Sequence, residues 1–471
     1  MRHLLLVPPH ALPPQGVFGR DLNLQDYRRH LGQTRTRLDW DASTGLYPNA
    51  FAALAATLGD GHDLHLHLPE TYPGGDPDHL RLADAGTDPL TCANHFNRRL
   101  RRIIQQSHTT ESAQPAPDAV HHSHRPQIII GRRGRGKTTR LADKIRWLGN
   151  VPILVVTPYR SNLERLQTLL PKHPHLIFLP PDDALNRLPA AAHLIIDEAA
   201  AIPPAQLLAL TAHYPAYTLA SSEDGYEGHG RTFTLHTLPA LIARDAAELH
   251  RHHYSWRHSP FDALEQILER AFLLNPAPCA IEPQSSWRVH AVSQHTLAHN
   301  ETLLARIYAL LHQAHYRTTP EDLKRLLDLP QQTLLVASSG NNIAGVLHIL
   351  HETPLPASLA QAVMHGERRP QGRLLLQQLL QRTRNIAYNR PLARISRIAV
   401  HPDCRRQGIA NALIAHARQT VAEPLGVSYG HDDTLAAFWQ AQGFAEIYRQ
   451  PDKAHRPTSL RLYGWQSFPH Q

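Results

Sequence analysis

The chain is 471 residues long, with 42% apolar and 19% charged residues and a formal charge of +8 before its 35 histidines are counted. That length exceeds a single hydrophobic core and points to about two to four domains, and no run of about eighteen uncharged apolar residues suggests a membrane-spanning helix. Cys92, Cys279 and Cys404 are isolated, which excludes a disulfide framework or a cysteine-based zinc cluster and fits a reducing, cytoplasmic setting.

The opening stretch MRHLLLVPPHALPPQG is broken by prolines and lacks the continuous apolar core of a signal peptide. Residues 1–107 read as a small α/β domain: GLYPNAFAALAATLGDGHDLHLHLPE gives a helix stopped by Gly59 and Gly61, then a strand ending at Pro69. Residues 108–126, with three prolines and no apolar period, read as a linker. From 127 to 275 near-continuous apolar strands alternate with helices: QIII, VPILVVTP, HLIFLP, HLIIDEAAAIP and YTLASS. That alternation predicts a doubly wound parallel sheet. Residues 276–471 read as a mixed α+β domain, with helices at HTLAHNETLLARIYALLHQAHYRT, TPEDLKRLLDLP and GIANALIAHARQTVA, and strands at QTLLVASSG, NIAGVLHILHE and RISRIAVHP.

The first chemistry-bearing motif is GRRGRGKTTR. Gly131, Arg132, Arg133, Gly134, Arg135, Gly136, Lys137 and Thr138 fit the phosphate-loop pattern between an apolar strand and a helix, with Thr139 and Arg140 following. Glycines let backbone N–H groups face phosphate oxygens, and the helix dipole adds to the attraction. Lys137 is expected to reach the β- and γ-phosphates, and Thr138 to ligate magnesium. Asp197 and Glu198 end the apolar strand HLIIDEAAAIP, on the edge where ligands of such sheets bind. Asp197 is expected to hold magnesium through water and Glu198 to orient the attacking water. The Asp-Glu-Ala sequence resembles the equivalent strand of RNA helicase-type ATPases. Arg257 and Arg231 are candidates to stabilise charge on the transferred phosphoryl group, and Gln114 to read the adenine.

The second motif is RISRIAVHPDCRRQGIANALIAHA. Arg405, Arg406, Gln407, Gly408, Ile409 and Ala410 match the R/Q-x-x-G-x-G/A turn of the GCN5-related (GNAT) acetyltransferases, which holds the pyrophosphate of acetyl-CoA at a helix N-terminus. The resemblance implies that Asn411 joins the turn, and that backbone groups of Ile398, Ala399 and Val400 pair with the pantetheine arm like an added strand. Many members place a tyrosine acid before the GF turn; here Trp439 stands in FWQAQGF. His401, Tyr429 and His431 are left as alternatives, so the residue serving acetyl transfer stays open.

A helicase-type ATPase fused to an acetyltransferase resembles the bacterial tRNA(Met) cytidine acetyltransferases. GRRGRGKTT, LIIDEAAAIP, DGYEGHGR, AHYRTTPEDLKRLLDLP, GERRPQG, RISRIAVHPDCRRQGIA and FWQAQGF carry the likeness in order. It implies acetylation of the wobble cytidine N4 amine in elongator tRNA(Met), with acetyl-CoA as donor and ATP or GTP hydrolysis remodelling the RNA. It also implies tRNA as the partner, with no membrane and no DNA; the oligomeric state stays open. The chain stops soon after SLRLYGWQSFPHQ and is expected to be a short form without the family's tRNA-gripping C-terminal extension. Thr434 and Ala441 stand where an acidic and a basic residue would be expected near the cofactor. RNA contact is then assigned to FNRRLRR (96–102) or GERRPQGR (366–373), each otherwise a solvated charged face. Two other functions fit the same motifs: a protein lysine acetyltransferase, and an RNA-remodelling ATPase whose acetyl-CoA fold is non-catalytic.

Overall fold

A computed structural model describes the chain except residues 32–33, 108–121, 133, 171–174, 223–232, 257–261, 275, 277–278, 282–285, 315–317, 431, 451–457 and 465–471. The chain divides into two compact units. One comprises residues 1–69, 100–275 and 316–320, the other residues 70–99, 276–315 and 321–471.

The first unit holds two parallel sheets. In the smaller, strands β1 (His3–Leu6), β2 (Leu38–Asp41) and β3 (Asp63–His67) run in the order β1-β3-β2. Trp40 is fully buried there, stacked on Phe18 and edge-on to Phe51. The larger sheet contains β4 (Gln127–Gly131), β5 (Ile153–Val156), β6 (Leu176–Leu179), β7 (His193–Ile196), β8 (Tyr217–Ser222) and β9 (Glu248–His252), in the all-parallel order β6-β5-β7-β8-β4-β9. Apolar residues run unbroken along its central strands because both faces are covered. Ile128, Ile130, Leu154 and Leu194 pack into one core, Ile129, Ile153, Val155 and Ile195 into the other. β9, whose sequence ELHRH carries no apolar signal, completes the sheet beside β4.

The second unit is built on a seven-stranded mixed sheet of β10 (Arg288–Ala291), β11 (Gln332–Ser339), β12 (Asn342–Glu352), β13 (Leu392–Val400), β14 (Leu425–Gly430), β15 (Ala445–Arg449) and β16 (Thr458–Tyr463), ordered β10-β11-β12-β13-β14-β16-β15. The helix Ile409–Thr420 packs on one face through Ile409, Leu413 and Ile414 against Leu347, Ile349, Ala393 and Ile395. The predicted long helix at 295–318 is two helices, Gln294–His299 and Glu301–Ala314, because Asn300 leaves helical geometry. Segment 70–99 joins this unit through ion pairs: the fully buried Lys324 reaches Asp76 at 2.6 Å and Asp78 at 2.8 Å.

Among the described residues no helix is long and apolar enough to cross a membrane.

Candidate nucleotide and acetyl-donor sites

In the first unit β4 delivers Gly131 to the start of the loop, and the helix Lys137–Leu148 begins directly after it. Gly136 has φ +73°, and a Cβ there would lie 2.8 Å from Cδ1 of Trp256, so backbone and space both demand glycine. Trp256 is fixed on the loop by its own backbone N–H, which donates to the Gly134 carbonyl at 3.1 Å. The Arg140 guanidinium lies 5.4 Å from its ring centre.

Lys137 is nearly buried, and its Nζ donates to the carbonyls of Gly131 (2.8 Å) and Arg132 (2.9 Å), which aims the ammonium across the mouth of the loop. The Thr138 hydroxyl donates to Oδ2 of Asp197 at 3.0 Å. Asp197 also receives Asn162 Nδ2 at 3.3 Å and, on Oδ1, the Glu198 backbone N–H at 3.0 Å. Burial holds the Asp197 carboxyl above the ordinary carboxylate range, and the neighbouring Glu198 charge pushes the same way.

Glu198 itself sits at φ +55°, a strained conformation for a residue with a Cβ. Its Oε1 receives the Ser222 hydroxyl at 3.0 Å, while Ser221 Oγ accepts the Ala200 N–H at 3.1 Å. Sequence reasoning passed over both serines; two hydroxyls closing the strand YTLASS at its C-terminal edge were the available signal.

The other expected residues fall in different places. Arg132 pairs with Glu265 and Glu269, both at 2.6 Å, and Arg135 with Glu265 at 2.7 Å, which turns both guanidinium groups onto the helix Ala263–Phe272. Thr139 is exposed. Arg133, Gln114, Arg231 and Arg257 lie outside the described residues, as does His431.

In the second unit β13 is the decisive strand. It pairs along its length with β12, but its parallel pairing with β14 is confined to Ala393↔Leu425 and Arg394↔Gly426. The two strands then part, so Ile398, Ala399 and Val400 have no β14 partner in the register. Opposite the split, a bulge in the β12 register sets Ser396 between the pairs Ile349↔Ile395 and His348↔Arg397.

Just beyond Val400 lies a cavity of about 370 Å³ lined by Val400, Arg405, Arg406, Gly408, Ile409, Ala410 and Asn411, together with Cys404 and Phe438. Gly408 has φ +77° and Arg406 φ +62°, which turns the chain sharply into the helix Ile409–Thr420. Gln407 does not line the cavity; its amide donates to the Asp403 carbonyl at 3.2 Å. Gly345 of β12 lets that helix approach closely, since a Cβ there would lie 2.6 Å from Cγ2 of Ile409.

The open choice for acetyl transfer narrows. Both ring nitrogens of His401 are engaged: Nδ1 accepts the Asp403 N–H at 3.3 Å and Nε2 lies 2.9 Å from the Cys279 carbonyl. Trp439 is core, packed against Phe438 and Phe444. Tyr429, on β14, keeps its hydroxyl half-buried with Arg461 Nε donating to it at 3.0 Å. Of the two basic runs, 96–102 is partly internal, because Arg99 is buried against Glu301 at 2.9 Å. Arg368 and Arg369 of the other run are exposed.

Residues 9–113 match the family model described as tRNA(Met) cytidine acetyltransferase TmcA, N-terminal. Residues 128–275 match RNA cytidine acetyltransferase NAT10/TcmA, helicase domain, and residues 306–422 match GNAT acetyltransferase 2. The tRNA(Met) cytidine acetyltransferase TmcA of Salmonella typhimurium is 33% identical over 473 residues, covering 92% of this chain and 68% of that protein. The chain belongs to the tRNA(Met) cytidine acetyltransferase family. TmcA proteins of Citrobacter koseri and Vibrio cholerae are each 33% identical, over 88% and 94% of this chain and 66% and 69% of their own length. The chain thus spans about two thirds of these TmcA relatives, and it combines a helicase-like unit with the acetyltransferase fold of the family.

Proposed function

We infer that the chain transfers the acetyl group of acetyl-CoA to the N4 amine of the wobble cytidine in elongator tRNA(Met), with ATP or GTP hydrolysis remodelling the RNA. The observation that supports this reading is the split between β13 and β14, which leads into the glycine-containing 405–411 turn in the same chain as a phosphate-loop sequence.

In the nucleotide site, N–H groups of the loop and the helix start at Lys137 face the phosphates, and the Lys137 ammonium balances their charge. The donor set of Thr138 hydroxyl and Asp197 carboxylate is all oxygen, which suits magnesium, and such an ion would neutralise phosphate charge. Glu198, which accepts the Ser222 hydroxyl, would orient water.

In the acetyl site, the unpaired edge of β13 at 398–400 receives the pantetheine arm as an added strand. The N–H groups and arginines of 405–411 hold the pyrophosphate. A cytosine amine is neutral near pH 7, so the site must position it against the thioester rather than strip a proton from an ammonium. Extruding a stacked wobble base costs only a few kcal/mol, so hydrolysis is suited to ordering or releasing the RNA. Single-turnover acetylation by Lys137→Ala at the parental rate would contradict that division of labour.

The test is incubation with labelled acetyl-CoA, ATP and either total tRNA or total protein. Label recovered in RNA as N4-acetylcytidine is expected. Label confined to protein would replace this reading with a lysine acetyltransferase, and RNA-stimulated ATP hydrolysis with no label anywhere would leave a remodelling ATPase.

A further inference from the structure

A second cavity of the acetyltransferase unit, about 320 Å³ in volume, lies on the sheet face opposite the helix Ile409–Thr420. Its floor is made by His348 of β12 and by Arg394, Ser396 and Arg397 of β13. Those β13 residues mark the apex of the split: Arg394 is the last to pair with β14, and Ser396 is the bulge. A thioester arm running along 398–400 therefore ends beside this floor. The volume is at the lower end for small-ligand pockets, ~300–1,000 Å³.

The chemistry of the floor is set by a chain of fixed donors. Gln332 gives its amide N–H groups to the carbonyls of Arg325 (2.9 Å), Leu326 (3.3 Å) and Leu329 (2.6 Å). Its Oε1 is therefore the acceptor that faces His348 Nε2 at 2.7 Å. The imidazole must carry its proton on Nε2, which leaves Nδ1 as a lone-pair acceptor with no hydrogen-bond partner among the described residues. Burial, then Arg397 and Arg394 nearby, lowers the His348 pKa to about 3, so the ring stays neutral at working pH.

An acceptor of fixed direction on a mostly buried ring that lines the cavity suits an N–H donor and opposes another acceptor. Cytosine presents an exocyclic N–H₂ where uracil presents a carbonyl. We propose that this cavity receives the acceptor nucleobase and that His348 Nδ1 accepts a hydrogen bond from its exocyclic amine, making His348 the residue that separates cytosine from uracil. The proposal rests on the tRNA cytidine acetyltransferase reading for the identity of the base. His348 holds and selects the amine; Gln332 is a positioning residue that acts through it.

The test uses the full chain with acetyl-CoA, ATP and tRNA transcripts, alongside free cytidine and uridine as probes. His348→Phe should lower kcat/KM for acetylation by about 100-fold or more, with acetyl-CoA affinity, ATP hydrolysis and melting temperature within experimental scatter of the parent. His348→Asn, which can still present an acceptor, should recover part of the loss. In ¹⁵N spectra of the parent, the His348 Nδ1 signal, assigned by its disappearance in His348→Phe, should move with cytidine and stay put with uridine. Acetylation by His348→Phe within threefold of the parent overturns the proposal, as does an Nδ1 signal that ignores cytidine. A parent that makes no N4-acetylcytidine but still shows the cytidine-specific shift would sink the tRNA reading and leave the base pocket standing.

Discussion

The Thr138 hydroxyl and the buried Asp197 carboxylate are joined at 3.0 Å, across the mouth of a loop whose lysine is already oriented. Because burial and Glu198 hold Asp197 above the ordinary carboxylate range, its proton would compete with the magnesium proposed for this site. Affinity for magnesium–ATP should therefore weaken as pH falls from about 7.5 to about 5, more steeply than an ordinary Asp, with its pKa of about 3.9, would allow. A titration with fluorescent nucleotide across that range checks it. Asp197→Asn should bind weakly at every pH and flatten the profile; a parent profile already flat would refute the assignment.

Gly345 keeps β12 close to the helix Ile409–Thr420 that follows the Arg405–Gly408 turn. A Cβ at that position meets Ile409 at 2.6 Å and Leu413 at 3.0 Å. Gly345→Ala should cost about 1–3 kcal/mol of stability by overpacking, and should weaken acetyl-CoA binding by tilting the helix start. Urea unfolding and calorimetry on the same samples report the two effects, while nucleotide binding at the phosphate loop should stay parental.

Glu352 ends β12 as a buried carboxylate. It accepts the backbone N–H groups of Leu375 (3.2 Å) and Leu376 (2.8 Å) at the start of the helix Leu374–Thr383, and pairs with Arg394 at 2.7 Å. Replacing it with alanine orphans two helix donors and a largely buried guanidinium. Glu352→Ala should lose about 3–5 kcal/mol, read as a shift of the denaturation midpoint. A shift below about 1 kcal/mol would mean that the capping contributes little.

Burial works to strip the proton from His79, but the Asp328 carboxylate at 3.2 Å helps to outweigh it, and the pKa is raised to about 9. A histidine whose folded pKa exceeds its unfolded value of about 6.5 stabilises fully below that value and loses the contribution as pH rises through the folded pKa. The melting temperature of the parent should accordingly decline between about pH 6.5 and about pH 9 relative to His79→Gln. Parallel curves for the two proteins would refute the ion pair.

How much of this was legible depended on how local each feature is. The GRRGRGKTT loop, the Asp197-Glu198 strand end and the 405–411 turn are contiguous stretches, so each stands out in the sequence without knowledge of any distant contact. The parallel sheet read from its apolar strands, except β9, whose ELHRH carries charge and histidine where pairing with β4 supplies the order. The 70–99 segment was read as part of the 1–107 domain but groups with the second unit, because what holds Asp76 and Asp78 is Lys324, some 246 to 248 residues away. The second cavity was invisible for the same reason. Its floor joins Ser396 and Arg397, whose strand drew notice only for the turn it leads into, to His348, which sits in no motif, and the tautomer that gives His348 its role is dictated by Gln332 and the three carbonyls it donates to.

The parting of β13 from β14 has one more implication. A run of main-chain donors and acceptors with no β14 partner among the described residues is a template for any extended peptide, including the same segment of a neighbouring molecule. Acetyl-CoA paired there, as proposed, would act as a plug. Solutions of the protein should resist clumping in proportion to how much coenzyme they contain, even where no acetyl group is being moved.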